Sequence, residues 1–334
     1  MVKSIRFIIG YITLVLLFLS GCGTNASNNE AATADAKKGL KKITQVTNWY
    51  AQPDFGGQYA ALEKGYYKEA GLDMTIEPGG PQISEIQLVS SGQAQFGMAG
   101  GDEILLARQE GIPIVAIAAL YQTDPQVLLF HKDEPIKDFN DLNGRTVYVA
   151  PGVTYWEYIK HNYDVDKVKE MAFSGQFTPF IKDKSSVSQA FMTTAPYVLK
   201  KQGVDVDYLL VNNSNYENYA DVLFTTEDYI KENPDIVKAY VEASVKGWDY
   251  YKTNYEEINK VILKENPDLD PGAMKYSSEV LMDLVFEEDA AKHGVGYMTE
   301  ERWSTLSQQL QDIGLLKKKI DVNEAFTTKF LGDD

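Results

Sequence analysis

The chain has 334 residues, 44% of them hydrophobic and 24% charged, which fits one large or two modest globular domains and excludes wholesale disorder. Its 48 acidic residues against 32 basic ones leave a net charge of -16, a field that repels nucleic acid and anionic membrane surfaces. A single cysteine, Cys22, excludes an internal disulfide and thiol pairs.

The first element is a leader. Lys3 and Arg6 precede an apolar run from Phe7 to Leu19, which ends in Leu19-Ser20-Gly21-Cys22. A basic start, a short apolar stretch and small residues before a cleavage point make an export signal over residues 1–21, too short for a confident membrane span. Small residues directly before Cys22 resemble the bacterial lipobox. That resemblance implies diacylglycerol on the Cys22 sulfur and a protein held at the outer face of the cytoplasmic membrane. Without Lys3 and Arg6 the balance is 30 basic to 48 acidic residues, or -18. Residues 22–42, rich in Asn, Ala, Ser, Thr and Lys, read as a flexible tether.

The folded body is expected from Ile43. A β-rich run, Ile43 to Trp49, enters a turn with Pro53, Gly56 and Gly57, and a helical pattern then runs through Tyr59, Leu62, Tyr66 and Tyr67 to Gly71. Trp49, Tyr50, Asp54 and Phe55 sit in that turn. Strand, Gly-containing loop and helix is the layout that presents backbone N–H groups and loop side chains to a ligand. An ordinary strand-to-helix turn fits the same residues. Strands over Leu72 to Glu77, Phe96 to Ala99 and Ile114 to Leu120 alternate with helices, so residues 43 to 120 read β-α-β-α-β-α-β. Asp102 stands after Gly100-Gly101 as a helix N-cap. With Glu103, it is also placed to accept hydrogen bonds from ligand N–H groups.

A second α/β set follows. Strands are expected over Val127 to His131, Thr146 to Ala150, Lys169 to Phe173 and Asp205 to Val211, while 175–188 reads as loop. Thr154, Tyr155 and Trp156 open a helix there, and Thr194 and Tyr197 flank another strand-to-helix junction. Each group offers hydroxyls or rings to a polar, planar ligand. After a last strand at Val222 to Thr225 come helices over 227–232, 234–253, 255–265, 271–286 and 299–313. This order predicts an α/β fold with two lobes: 43–123 plus 220–334 form the first, 124–219 the inserted second, with a two-strand hinge and a cleft between them.

No catalytic motif stands out. Gly-x-Ser-x-Gly, P-loop and dinucleotide fingerprints are missing, and His131, His161 and His293 lie far apart without metal-ligand spacing. No enzyme activity, cofactor or metal is expected.

Several blocks together resemble the solute-binding proteins of ABC importers in the family of thiamine-pyrimidine-precursor binders, with alkanesulfonate and nitrate binders more distant. They are Trp49 to Asp73, Gly92-Gln-Ala-Gln-Phe-Gly-Met98, Ala190 to Tyr197, Leu223 to Trp248, and Gly296 to Trp303 with Gly314-Leu315-Leu316. The resemblance implies a type II periplasmic-binding-protein fold, a membrane permease as partner, and a monomer that closes over a small planar heterocycle. It points to Trp49 as a stacking platform, to Gly101, Asp102 and Glu103 as one cleft edge, and to Thr154 and Tyr155 as the other. This chain departs at Phe55, where many relatives carry His, and at Ala195, where many carry an acid. Alkanesulfonate, nitrate or a riboflavin-like ligand, and a pyrimidine-synthase-like enzyme, stand as alternatives.

Overall fold

The computed structural model describes residues 39–332; the leader, Cys22 and most of the tether lie outside the described residues. Ten strands form two separate five-stranded sheets. The first sheet holds β1 (Lys41–Val46), β2 (Leu72–Glu77), β3 (Phe96–Ala99) and β4 (Ile114–Tyr121). The second holds β5 (Gln126–His131), β6 (Thr146–Val149), β7 (Lys169–Ala172), β8 (Val187–Phe191) and β9 (Val206–Leu210). The chain then returns to the first sheet with β10 (Ala220–Thr226). The orders are β2-β1-β3-β10-β4 and β7-β6-β8-β5-β9. In each sheet the strand built after or before a crossing, β10 or β5, runs antiparallel to both neighbours, while β1–β3 run parallel to one another and so do β6–β8. Two segments, Gln122 to Pro125 and Val211 to Tyr219, carry the chain from one sheet to the other and back.

Three differences from the expected elements have physical causes. The first strand begins at Lys41, not Ile43, because Lys41 and Lys42 pair with Leu72 and Asp73 and their side chains stay in solvent. The stretch expected as loop, 175–188, contains the helix Thr178–Lys182 and the start of β8. Val187-Ser-Gln-Ala-Phe191 has no strict polar alternation, since Ser188 is buried in mid-sheet between β5 and β6; partners distant in sequence make the strand. Two expected helices, 234–253 and 255–265, are one rod, Pro234–Glu265, kinked at Asn254 (φ -129°, ψ 23°). There Asn254 Nδ2 donates to the Tyr250 carbonyl at 2.9 Å, giving a backbone acceptor at the break a partner.

The long helix packs on the opening unit at backbone contact. A Cβ on Gly57 would strike the Trp248 ring, one on Gly56 the Tyr251 ring, and one on Gly247 the Gly57 carbonyl. Phe55, Tyr59, Trp248, Tyr251 and Leu281 fill the layer between these helices and the first sheet. The outer edge of β4 is covered from the far end of the chain: Ala119 N–H donates to Gly296 O and Thr327 N–H to Ala116 O, both at 2.9 Å.

Candidate functional site

The turn after β1 is tied by Thr47, whose Oγ1 donates to Trp49 O at 2.6 Å and accepts from Gly79 N at 3.2 Å. Gly79 is required because a Cβ there would meet the Thr47 carbonyl. The tie leaves the Trp49 and Tyr50 rings 43% and 50% exposed, edge to face at 5.4 Å. Large rings kept in water suit stacking on a planar partner. Phe55, three residues past Gln52 in the same turn, is different: it is 1% exposed and packs in the helix–sheet core, so it is a core residue rather than ligand-facing surface.

Asp54 is buried at the same turn, and one of its carboxylate oxygens has no hydrogen-bond partner. Burial lifts it to about 6, although its own backbone and the hydroxyls of Tyr121, Thr193 and Ser277 hold the charged form back toward its ordinary range. Gln58 lies one helical turn on, on the same face, fully buried, with both amide atoms unpartnered.

The second group forms where helix Gly101–Gln109 starts. Gly100, not Asp102, takes the N-cap position, and Glu103 Oε2 accepts from Gly100 N–H at 2.7 Å. Asp102 is thereby released from capping. Its Oδ1 accepts from Glu103 N–H at 2.8 Å, and its Oδ2 accepts from Tyr216 Oη at 3.2 Å and from Thr154 Oγ1. Thr154 opens helix Thr154–Asn162 on the second sheet, so this carboxylate joins the two lobes. Gly101 is pinned to the return crossing by its N–H to Tyr219 O at 2.9 Å, and Asn218 Oδ1 accepts from Asp102 N–H at 3.1 Å.

The outward crossing and the start of β10 each add an acid. Asp124 accepts from Asn218 Nδ2 at 3.1 Å and from Gln126 N–H at 2.9 Å. Asp221, at φ 47°, accepts from Asn48 Nδ2 at 2.7 Å. Burial is the main cause that raises Asp124 to about 6 and Asp221 to about 8; Asp102 adds to the first, and Asp54 and Asp124 to the second. Glu103 keeps solvent contact, yet crowding strips it of water and Asp102, Glu85 and Asp124 repel its charge, lifting it to about 7. The cation reaching this group is Arg302, which opposes the rise at Asp124. Arg302 is already engaged: its Nη2 donates to Asn218 O at 2.7 Å, its guanidinium covers the Tyr219 ring at 4.1 Å, and Glu217 and Glu288 lie at 3.5 and 3.7 Å.

The remaining expected residues divide. Tyr155 is buried with its hydroxyl donating to Gln189 Oε1 at 3.1 Å. Trp156 is core at 1% exposed, its indole N–H held by Glu170 at 2.9 Å, so it presents nothing to a ligand. Thr194 precedes helix Ala195–Lys201 and is half-buried, whereas its neighbour Thr193 is buried. Tyr197 packs on Tyr276 of the first lobe at 5.7 Å, beside the Lys201–Asp270 ion pair at 2.8 Å, and forms a rim contact between lobes. Asp124, Asp221, Gln58, Thr193 and Tyr216 were not singled out from sequence. Their signal was position: Asp124 and Asp221 flank the two expected crossing points. Among the described residues no group of three or more His, Cys, Asp or Glu is arranged to hold a metal ion.

Two α/β lobes linked by two crossings, with polar residues gathered between them, define the fold of the periplasmic binding proteins. The periplasmic aliphatic sulphonate binding protein SsuA from Escherichia coli superposes with a TM-score of 0.67 at 14% identity, covering 88% of this chain and 94% of that one. By sequence, the chain belongs to the NMT1/THI5 like family, whose model matches residues 52–258. It is similar to the riboflavin-binding protein RibY of Chloroflexus aurantiacus, 27% identical over 95% of each chain. It is also similar to the formylaminopyrimidine-binding protein of Halalkalibacterium halodurans, 23% identical over 98% of this chain and 99% of the relative. A 4-amino-5-hydroxymethyl-2-methylpyrimidine phosphate synthase of Legionella pneumophila is 20% identical over 87% of this chain and 93% of its own length.

Proposed function

We propose that the protein is the ligand-binding component of an ABC importer, held outside the cytoplasmic membrane by lipid on Cys22, and that it delivers a small planar heterocycle to a permease. The ligand is neutral or cationic, of the pyrimidine or flavin kind, and rich in N–H or O–H donors. One observation carries this choice: among the described residues, Asp54, Asp102, Glu103, Asp124 and Asp221 gather between the lobes near one guanidinium, Arg302, which is already engaged. Such a site attracts donors and positive charge and repels anions. Sulfonate and nitrate are therefore disfavoured, even though the fold is shared with a sulphonate binder. Trp49 and Tyr50 supply aromatic faces at the same turn. Names of relatives favour binding over catalysis. Among the described residues, no helix is long and apolar enough to cross a membrane.

A thermal-shift screen tests the reading. Aminopyrimidines, thiamine or riboflavin should stabilise the protein, by about 2.7 kcal/mol at a hundredfold excess over Kd. Stabilisation by aliphatic sulfonates or nitrate alone would reject it.

A further inference from the structure

Large apolar side chains scattered singly on a surface need no explanation, but a group of them marks a contact. Trp49 and Tyr50 are joined by Ile83, 46% exposed, and on the second sheet by Phe191, 52% exposed. We propose that Phe191 is the second lobe's stacking face for the ligand, and that the ligand is a fused-ring heterocycle held between Phe191 and Trp49, with Tyr50 and Ile83 covering its apolar end. The inference rests on the ligand reading above and narrows it from any planar heterocycle to one with a fused second ring.

Three observations place Phe191. First, the two sheets share one strand pattern, β2-β1-β3-β10-β4 and β7-β6-β8-β5-β9, so β6 and β8 hold in the second the places of β1 and β3 in the first. The turns after β3 and β6 meet through Asp102 and Thr154. Exchanging the lobes turns that contact into one between the turns after β8 and β1, which carry Phe191 and Trp49. Second, one stretch of the first lobe receives both turns. Asn266 Nδ2 donates to Ala51 O at 2.9 Å, while Tyr197 packs on Tyr276 and Lys201 pairs with Asp270. Met192, next to Phe191, packs against the cores of both lobes. Third, side chains alternate along a strand, so Phe191 shares the face of Gln189. Gln189 Oε1 accepts from Ala150 N–H at 2.5 Å and from Tyr155 Oη at 3.1 Å, on either side of the turn that delivers Thr154 to Asp102. Phe191 therefore stands on the side of its sheet where the second lobe touches the first.

The size of the ligand follows from the first lobe. The Trp49 and Tyr50 rings lie 64° apart, so one flat ring stacks on either of them but not on both. Tyr50 lies over Gly80, where an added Cβ would come 3.0 Å from its ring, and Ile83 N–H donates to Gly80 O at 2.9 Å. Tyr50 and Ile83 thus continue one apolar rim outward from Trp49. A single pyrimidine stacked on Trp49 leaves that rim in water. A fused second ring reaches it, and the apolar area it covers adds to affinity.

Titration calorimetry on the purified protein tests this, with riboflavin and lumichrome as fused-ring probes and 4-amino-5-hydroxymethyl-2-methylpyrimidine and thiamine as probes without fused rings. The fused-ring probes should bind at least about tenfold more tightly. Phe191→Ala should weaken their binding about tenfold, the loss expected when one stacking ring is removed, and Phe191→Tyr should restore it. Ile83→Ser should weaken riboflavin and lumichrome more than the other two probes. Both positions are exposed, so urea midpoints should match the wild type, and Leu62→Ala, exposed elsewhere on the first lobe, should change no affinity. Unchanged affinity in Phe191→Ala overturns the proposal. Binding of the probes without fused rings, equal to or tighter than that of riboflavin and lumichrome, overturns it too and leaves the heterocycle reading standing. If no heterocycle binds, both fall.

Discussion

At the scale of single residues, two aromatics six positions apart have opposite duties. Trp49 is largely exposed, so Trp49→Ala should leave stability within about 0.5 kcal/mol while weakening ligand binding about tenfold, measurable by titration calorimetry. Phe55 fills the core, so Phe55→Ala should cost about 3–5 kcal/mol in denaturant unfolding and leave ligand preference unchanged. The sequence alone does not separate them, because an aromatic beside a Gly-containing turn looks the same whether it faces a ligand or a helix. Trp156 misleads in the same way. The helix starts that carry Asp102 and Thr154 were legible, since each follows a strand and a short turn, and the fold brings those helix starts together. Asp124 and Asp221 were not, although the crossings beside them were, because a burial-raised carboxylate depends on neighbours from remote segments.

At the scale of elements, the opening helix Gly56–Glu63 and the rod Pro234–Glu265 meet at a crossing without room for side chains. Gly57→Ala should overpack the Trp248 face and cost about 1–3 kcal/mol, read as a lower urea midpoint with an unchanged slope. Such contacts are invisible in one sequence, where Gly56-Gly57 reads first as turn punctuation. Strands with strong local character were legible: Ile114–Tyr121 is apolar throughout and lies buried along its whole length. β8 was legible only in its second half, Gln189 to Phe191; its start at Val187 is set in mid-sheet by β5 and β6 rather than by its own pattern. The kink at Asn254 lies between two patterns that the sequence presents as separate helices.

At the scale of the whole molecule, charge and burial act in the same direction. The net charge of -16 makes the compact state self-repelling at neutral pH, and the raised carboxylates add a local share of that repulsion. A carboxylate whose folded value is raised favours folding below its ordinary value and loses that contribution as pH rises through the raised one. Thermal midpoints should therefore decline from pH 5 to pH 8.5. Asp221→Asn should flatten the decline, which calorimetry at matched ionic strength can resolve. A surface substitution of equal charge, Asp235→Asn, should shift the midpoint without changing the slope of that decline.

The cover on β4 bears on what happens when this molecule meets copies of itself. Ile-Val-Ala-Ile-Ala-Ala-Leu-Tyr is an apolar, charge-free strand at the rim of its sheet, the kind of edge on which chains add to one another into fibres. The segments carrying Gly296 and Phe326 occupy that rim and act as gatekeepers against polymerisation. Removing residues 321–334 takes away the Phe326 cover. Such a protein should bind a cross-β dye and pellet on warming, at temperatures where the intact chain stays in solution.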